Sequence, residues 1–287
     1  MFYQLYGTYK AHQLKKYIAE GDLIKCEKII EDLKSINYLD IPNDENNTFL
    51  MLACSNSENT TSDFKNKMEE IALKLLETKI SKPNHINTRF KKTALLYACD
   101  NKMDKLALEI IRIGESNPNY IGSYGNTALI IACKNNMEEV AIEIILTGKS
   151  NSNHANYDGD TALICACENK MEKVALDLIL TGESNPNHVN FHGNTALIYA
   201  CKNNMEKVAL KLIRTGKSNL NQVNIFKDTA LNIACRNNME EVALELIQTG
   251  KSESNYMNYN KNMVLIYARK NKMEKVISEI MDTPKFL

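Results

Sequence analysis

A chain of 287 residues with 44% apolar content is long enough to bury a substantial core, in one large domain or two ordinary ones. Its 35 basic residues balance 35 acidic ones, which argues against the broad positive footprint of a nucleic-acid binder. Eight cysteines suit free thiols in a reducing compartment, and no run approaches the ~18 apolar residues of a membrane span. The N-terminal MFYQLYGTYKAHQLKK also lacks an apolar stretch fit for a signal peptide, so the expectation is an intracellular protein outside the membrane.

In chain order, residues 18–33, IAEGDLIKCEKIIEDL, read as a degenerate helix pair that turns at Gly21, with Ile29 and Ile30 as its paired apolar positions. A first full unit opens at Thr48 and contains SNSENTTSDF, a polar piece over residues 55–64 expected to loop out of the fold. Threonines then recur at Thr93, Thr127, Thr161, Thr195 and Thr229, always 34 residues apart. Each opens a near-copy of TALIYACKNNMEKVALKLI, the segment from Thr195. Met263 holds that place in the last copy, where Arg269 stands instead of the recurrent Cys, and Pro284 closes the segment. Residues 1–42 are thus expected to cap the N-terminal end, 43–262 to form the array, and 263–287 to cap the C-terminal end.

Within one unit the spacing predicts a short helix over 128–135. Thr127 caps it, and Leu129, Ala132 and Cys133 form an apolar face three and four apart. Asn135 and Asn136 stop this helix, because Asn tolerates left-handed backbone. A second helix runs from Glu138 to about Thr147, with Gly148 as terminator and Val140, Ala141, Ile144 and Ile145 on its buried side. Lys149 to Asp160 is a polar connection with a turn at Asp158–Gly159. Helices this short are not stable alone, so each pair must bury its stripe on the next pair. The predicted fold is all-α: a solenoid of stacked antiparallel helix pairs joined by extended, hairpin-like loops.

TALIIACKNNMEEVAIEIILTGKSNSN resembles an ankyrin repeat, with Thr127, Leu129, Ala132, Val140, Gly148 and Asn153 in matching places. The likeness covers about residues 14–283. Ala replaces the usual helix-opening Pro in every complete copy, and each period has 34 residues where the family has about 33. The hairpin Gly present at Gly125, Gly159 and Gly193 becomes Lys91, Lys227 and Lys261 elsewhere. The Asn-rich wording also looks like the ankyrin-repeat proteins of giant viruses of amoebae. That resemblance implies a viral source and the host-cell cytoplasm. The chain's 36 asparagines are read as the codon usage of an AT-rich genome.

Three recurrent side chains could carry chemistry. Cys54, Cys99, Cys133, Cys167, Cys201 and Cys235 hold one repeat position. Helix axes about 8–10 Å apart keep one thiolate per repeat from converging on a zinc ion that binds sulfur at about 2.3 Å, so core packing is expected. Met68, Met103, Met137, Met171, Met205, Met239 and Met273 precede the second helices and are expected to pack at the turn rather than to form a binding surface. His85, His154 and His188 share a loop position with Tyr120 and Gln222, so they are expected to brace the loop and not to bind metal. No nucleophile, Walker or dinucleotide motif occurs, and neither cofactor nor small-molecule substrate is expected; the chain is not expected to be an enzyme.

The ankyrin resemblance implies a protein-binding face on the concave side, formed by first helices and loop tips. The candidate contacts are Asp100, Lys134, Glu168, Lys202, Arg236 and Lys270 on the helices, and Arg89, Phe90, Tyr124, Tyr157, Phe191, His192 and Phe226 at the tips. The partner expected is a host or viral protein, with an acidic segment suited to the more basic later repeats. A structural or self-assembling protein, and an adaptor for a ubiquitin ligase, are the alternatives.

Overall fold

The computed structural model describes residues 2–36, 38–39, 42–43, 46–55, 61–249 and 263–282. Among them are sixteen α-helices and no strand, only an isolated bridge between Ala155 and Thr161. The chain divides into two compact units, residues 1–150 and 151–287. The first contains α1 (Phe2–Glu20), α2 (Leu23–Ser35), α3 (Phe49–Ser55), α4 (Ser62–Glu77), α5 (Ala94–Asp100), α6 (Asp104–Ile113), α7 (Ala128–Lys134) and α8 (Glu138–Leu146). The second contains α9 (Ala162–Glu168), α10 (Glu172–Leu180), α11 (Ala196–Lys202), α12 (Glu206–Arg214), α13 (Ala230–Arg236), α14 (Glu240–Gln248), α15 (Met263–Lys270) and α16 (Glu274–Asp282).

Helix pairing follows from the repeated stripe. In the first unit α3 packs on α4, α5 on α6 and α7 on α8, while first helices stack α3–α5–α7 and second helices α2–α4–α6–α8. In the second unit the first-helix stack is α9–α11–α13–α15 and the second-helix stack is α10–α12–α14–α16. Seven-residue helices persist because nearly every side chain is enclosed: in α11, Ala196 through Cys201 are all buried.

The caps explain where helices begin and end. Thr93, Thr127, Thr161, Thr195 and Thr229 hold extended backbone, and each hydroxyl accepts the amide three residues on. Thr147, Thr181 and Thr215 end second helices, and Gly148, Gly182 and Gly216 follow in the left-handed region. Residues 56–60 of the expected loop insertion lie outside the described residues. Ser62 to Phe64 instead form the first turn of α4, because Thr61 caps it and Asp63 suits its positive end.

The turn between paired helices uses two asparagines in different ways. Asn136, Asn204 and Asn238 take the left-handed conformation, and Lys102, Lys170 and Lys272 are held in it at the same place. The residue before them is not left-handed: Asn135 and Asn203 have φ of −96° and −101°. Its side chain reaches back one repeat. Asn101 Nδ2 donates to the Cys54 carbonyl at 2.7 Å, Asn135 to Cys99 at 2.9 Å, Asn203 to Cys167 at 2.9 Å, Asn237 to Cys201 at 3.0 Å and Asn271 to Cys235 at 2.7 Å. These carbonyls sit at first-helix C-termini, where no intrahelical donor remains.

A second asparagine ladder ties the loops that follow the second helices. Asn84 donates to the Glu115 carbonyl and accepts from the Asn117 amide; Asn153 does the same with Glu183 and Asn185, and Asn187 with Lys217 and Asn219. The abundance of asparagine thus has a structural role: one amide side chain supplies a donor and an acceptor, which lets it bridge two backbone segments at once.

The core is the recurrent set. The eight free cysteines are all buried, as are the seven methionines before the second helices. Burial pushes the Cys133, Cys201 and Cys235 thiols up to about 12, and Cys54 and Cys99 higher still. They are packed, protonated groups.

Candidate functional site

Loop tips project before each first helix, and their geometry is set by one buried asparagine per loop. Asn190 Oδ1 accepts the His192 and Asn194 amides at 3.1 Å each, while its Nδ2 donates to Asp160 at 2.9 Å. Asn156 accepts from Asp158 and Asp160, and Asn224 from Phe226 and Asp228, in the same way. Within the second unit neighbouring tips are joined by backbone: Phe191 N donates to Asp158 O, and Ile225 N to His192 O, both at 3.0 Å. The approach is close enough to require glycine. A Cβ on Gly193, whose φ is +71°, would lie 2.9 Å from Asn224 Cα.

Fixed in this way, the tips hold large apolar groups in water. Tyr157, Phe191 and Phe226 of the second unit are 69%, 76% and 77% exposed, and His192 is exposed beside them. In the first unit Phe90 and Tyr124 are exposed, and the Arg89 guanidinium stands over the Phe90 ring at 5.0 Å. The sequence reading missed Ile121 and Ile225, which are also exposed at the tips. Ile225 follows Phe191 by one period, so the repeat itself carried that signal.

The first-helix charges differ in how far they are available. Glu168, Lys202, Arg236 and Lys270 are exposed, whereas Asp100 and Lys134 are half-buried. Asp100 and Arg236 are engaged within their own repeat. Lys92 Nζ lies 2.7 Å from Asp100, and Arg236 lies 3.0 Å from Asp228. These pairs occupy the same two repeat positions, before the capping threonine and at the end of the first helix, with the signs exchanged. In the second unit Asp160 precedes Thr161 and Glu168 ends that helix, so the corresponding pair is acid with acid. Lys202 stands 5.6 Å over the Tyr199 ring.

Tyr199 marks a polar cluster inside this face. Burial raises its phenol pKa, and the hydroxyl lies against Asn190, Asn194 and Glu168. Asn194 is 7% exposed, and its Oδ1 is enclosed without a hydrogen-bond partner. An orphaned buried acceptor of this kind costs about 1–3 kcal/mol. His85 Nε2 sits 3.0 Å from the Asn46 carbonyl and braces its loop, while His188 Nε2, like Ser184 Oγ, has no partner in the protein.

Among the described residues no group of three or more His, Cys, Asp or Glu side chains could hold a metal ion, and no helix is long and apolar enough to cross a membrane. A groove of about 830 Å3 lies between the second helices α4 and α6, away from the tips. Its lining mixes Lys105 and Arg112 with Glu77 and Glu109 around Leu76 and Leu108, so it offers no charge of one sign.

Comparison with known proteins agrees with this architecture. No curated protein matches the chain. Among solved structures, the chain is similar to the ankyrin repeat domain of Bcl-3, described as a unique member of the IkappaB protein family. The TM-score is 0.56 at 21% identity, over 81% of this chain and 96% of that one. At that identity the likeness establishes the fold. The family model for ankyrin repeats (3 copies) matches residues 63–149 and 139–224, more than half of the sequence. Repeats of this kind are generally protein-interaction modules, typically without catalysis. The chain belongs to the ankyrin-repeat family.

Proposed function

We propose that the chain is a non-catalytic binding module that takes a host or viral protein on the face formed by its first helices and loop tips, the side that is concave in the family. The observation that carries this reading is the exposure of Tyr157, Phe191 and Phe226 on tips whose backbones are hydrogen-bonded to one another. A folded chain gains nothing from holding three aromatic rings in water, whereas a rigid exposed ring offers a partner large contact area at small entropic cost. In the second unit the exposed Glu168, Lys202 and Lys270 bias the choice of partner.

Arg269 is exposed where the equivalent cysteines of the earlier repeats are buried. Affinity capture from amoebal cells tests the proposal. The parent chain is expected to retain proteins that the Phe191→Ala/Phe226→Ala form loses; identical recoveries would remove the tips from the binding surface. Concentration-dependent self-association with no other protein retained would favour an assembly role.

A further inference from the structure

We propose that the tips of the second unit bind a proline-rich segment of the partner, held as a polyproline II helix with an apolar residue at every third position. The inference rests on the protein-binding reading and names the conformation and chemistry of what the tips receive. Tyr157, Phe191 and Ile225 take one repeat position on three successive tips, and all three are exposed. One step of this ladder runs from Phe191 to His192 along the chain, about 3.8 Å between Cα atoms. It then crosses the hydrogen bond from Ile225 N to His192 O, which adds about 5 Å. Successive rungs therefore stand at most about 9 Å apart.

Among regular conformations, polyproline II repeats on that interval. It has three residues per turn and rises about 3.1 Å per residue, so one face recurs every ~9.3 Å. An extended strand presents one face about every 6.7 Å. About six residues of α-helix cover the distance, but they turn the side chain well off its starting face. The tip backbones point the same way independently. The Phe191 and Ile225 amides donate to the preceding tips, and the His192 and Phe226 amides to the Asn190 and Asn224 side chains. The Gly193 and Lys227 amides donate to the Asn190 and Asn224 carbonyls. A strand added to these two tips would meet none of those amides free, and strand addition depends on main-chain pairing. Ring faces remain, and a polyproline II segment docks on aromatic side chains with its backbone already ordered.

The test uses short random peptides displayed on phage, panned on the full chain and counter-selected on its Phe191→Ala/Phe226→Ala form. Retained peptides are expected to be proline-rich, with an apolar residue at every third position. Replacing their intervening prolines by glycine, or inserting one residue between two apolar positions, should weaken binding at least about tenfold. Phe191→Ala and loss of the peptide's central apolar residue should together cost less than the two separate losses added. Unchanged affinity after the insertion would overturn the inference and leave the protein-binding reading standing. So would tip-dependent peptides whose apolar residues fall at every second position or at three- and four-residue helical spacing. Failure to select any peptide dependent on the tips would overturn both.

Discussion

The side-chain amide of Asn203 reaches back 36 residues to the carbonyl of Cys167 and donates to it at 2.9 Å, with Glu168 O also in range at 2.8 Å. The same bond spans 47 residues at Asn101, because the repeat it crosses is longer. Asn203→Ala should therefore cost about 1–3 kcal/mol by stranding two helix-terminal carbonyls. Asn203→Asp should cost more, since a carboxylate would face carbonyl oxygens. Asn204, exposed and left-handed, should accept Asp with little change. Denaturant midpoints of the three variants check this ordering.

Lys170 occupies the left-handed place that Asn204 takes one repeat later, with φ of +60°. Lysine gains nothing there, while Asn can hydrogen-bond locally and tolerates the conformation. Lys170→Asn is expected to stabilise the chain by about 0.5–1 kcal/mol, read as a small rise in midpoint with an unchanged slope.

The buried thiols make stability fall in alkali. Folding raises the Cys133 and Cys201 thiols from 9.0 to about 12 by burial, so the folded state holds these protons more tightly. Their contribution is complete below pH 9 and is lost progressively as the pH rises from 9 towards 12. Cys201→Ala should flatten that loss relative to the parent in urea melts at stepped pH. Iodoacetamide should modify the native cysteines only as fast as the repeats open.

Charge reversal should separate Lys202 from Arg236. Lys202 makes no ion pair among the described residues, so Lys202→Glu should change partner binding with the fold intact. Arg236→Glu breaks the contact with Asp228 and sets two acids together, at a cost of about 0.5–1 kcal/mol after allowance for solvent exposure. Circular dichroism melts beside binding measurements distinguish the two effects.

Much of this architecture was legible in the sequence because its carriers act locally or recur on one face. Thr127 caps its own helix, Met137 and Cys133 are buried where the period puts them, and Gly148 ends α8. The bridging role of Asn135 was not legible because its partner lies one repeat away, and a helix-stop residue explains the Asn-Asn pair without it. Its recurrence in one place was the available signal. The engagement of Arg236 was hidden for a similar reason: Asp228 is eight residues earlier, in extended chain, outside the three- and four-residue helical spacings. The orphaned Asn194 could be recognised only once its surroundings were enclosed.

The most direct test is titration calorimetry of a captured partner against the parent and against the Phe191→Ala/Phe226→Ala form. A loss of affinity of at least about tenfold, with unchanged helicity and melting, is the predicted result for exposed aromatic anchors. Undiminished affinity after removing both rings and reversing Lys202 would contradict binding through the loop tips and first helices.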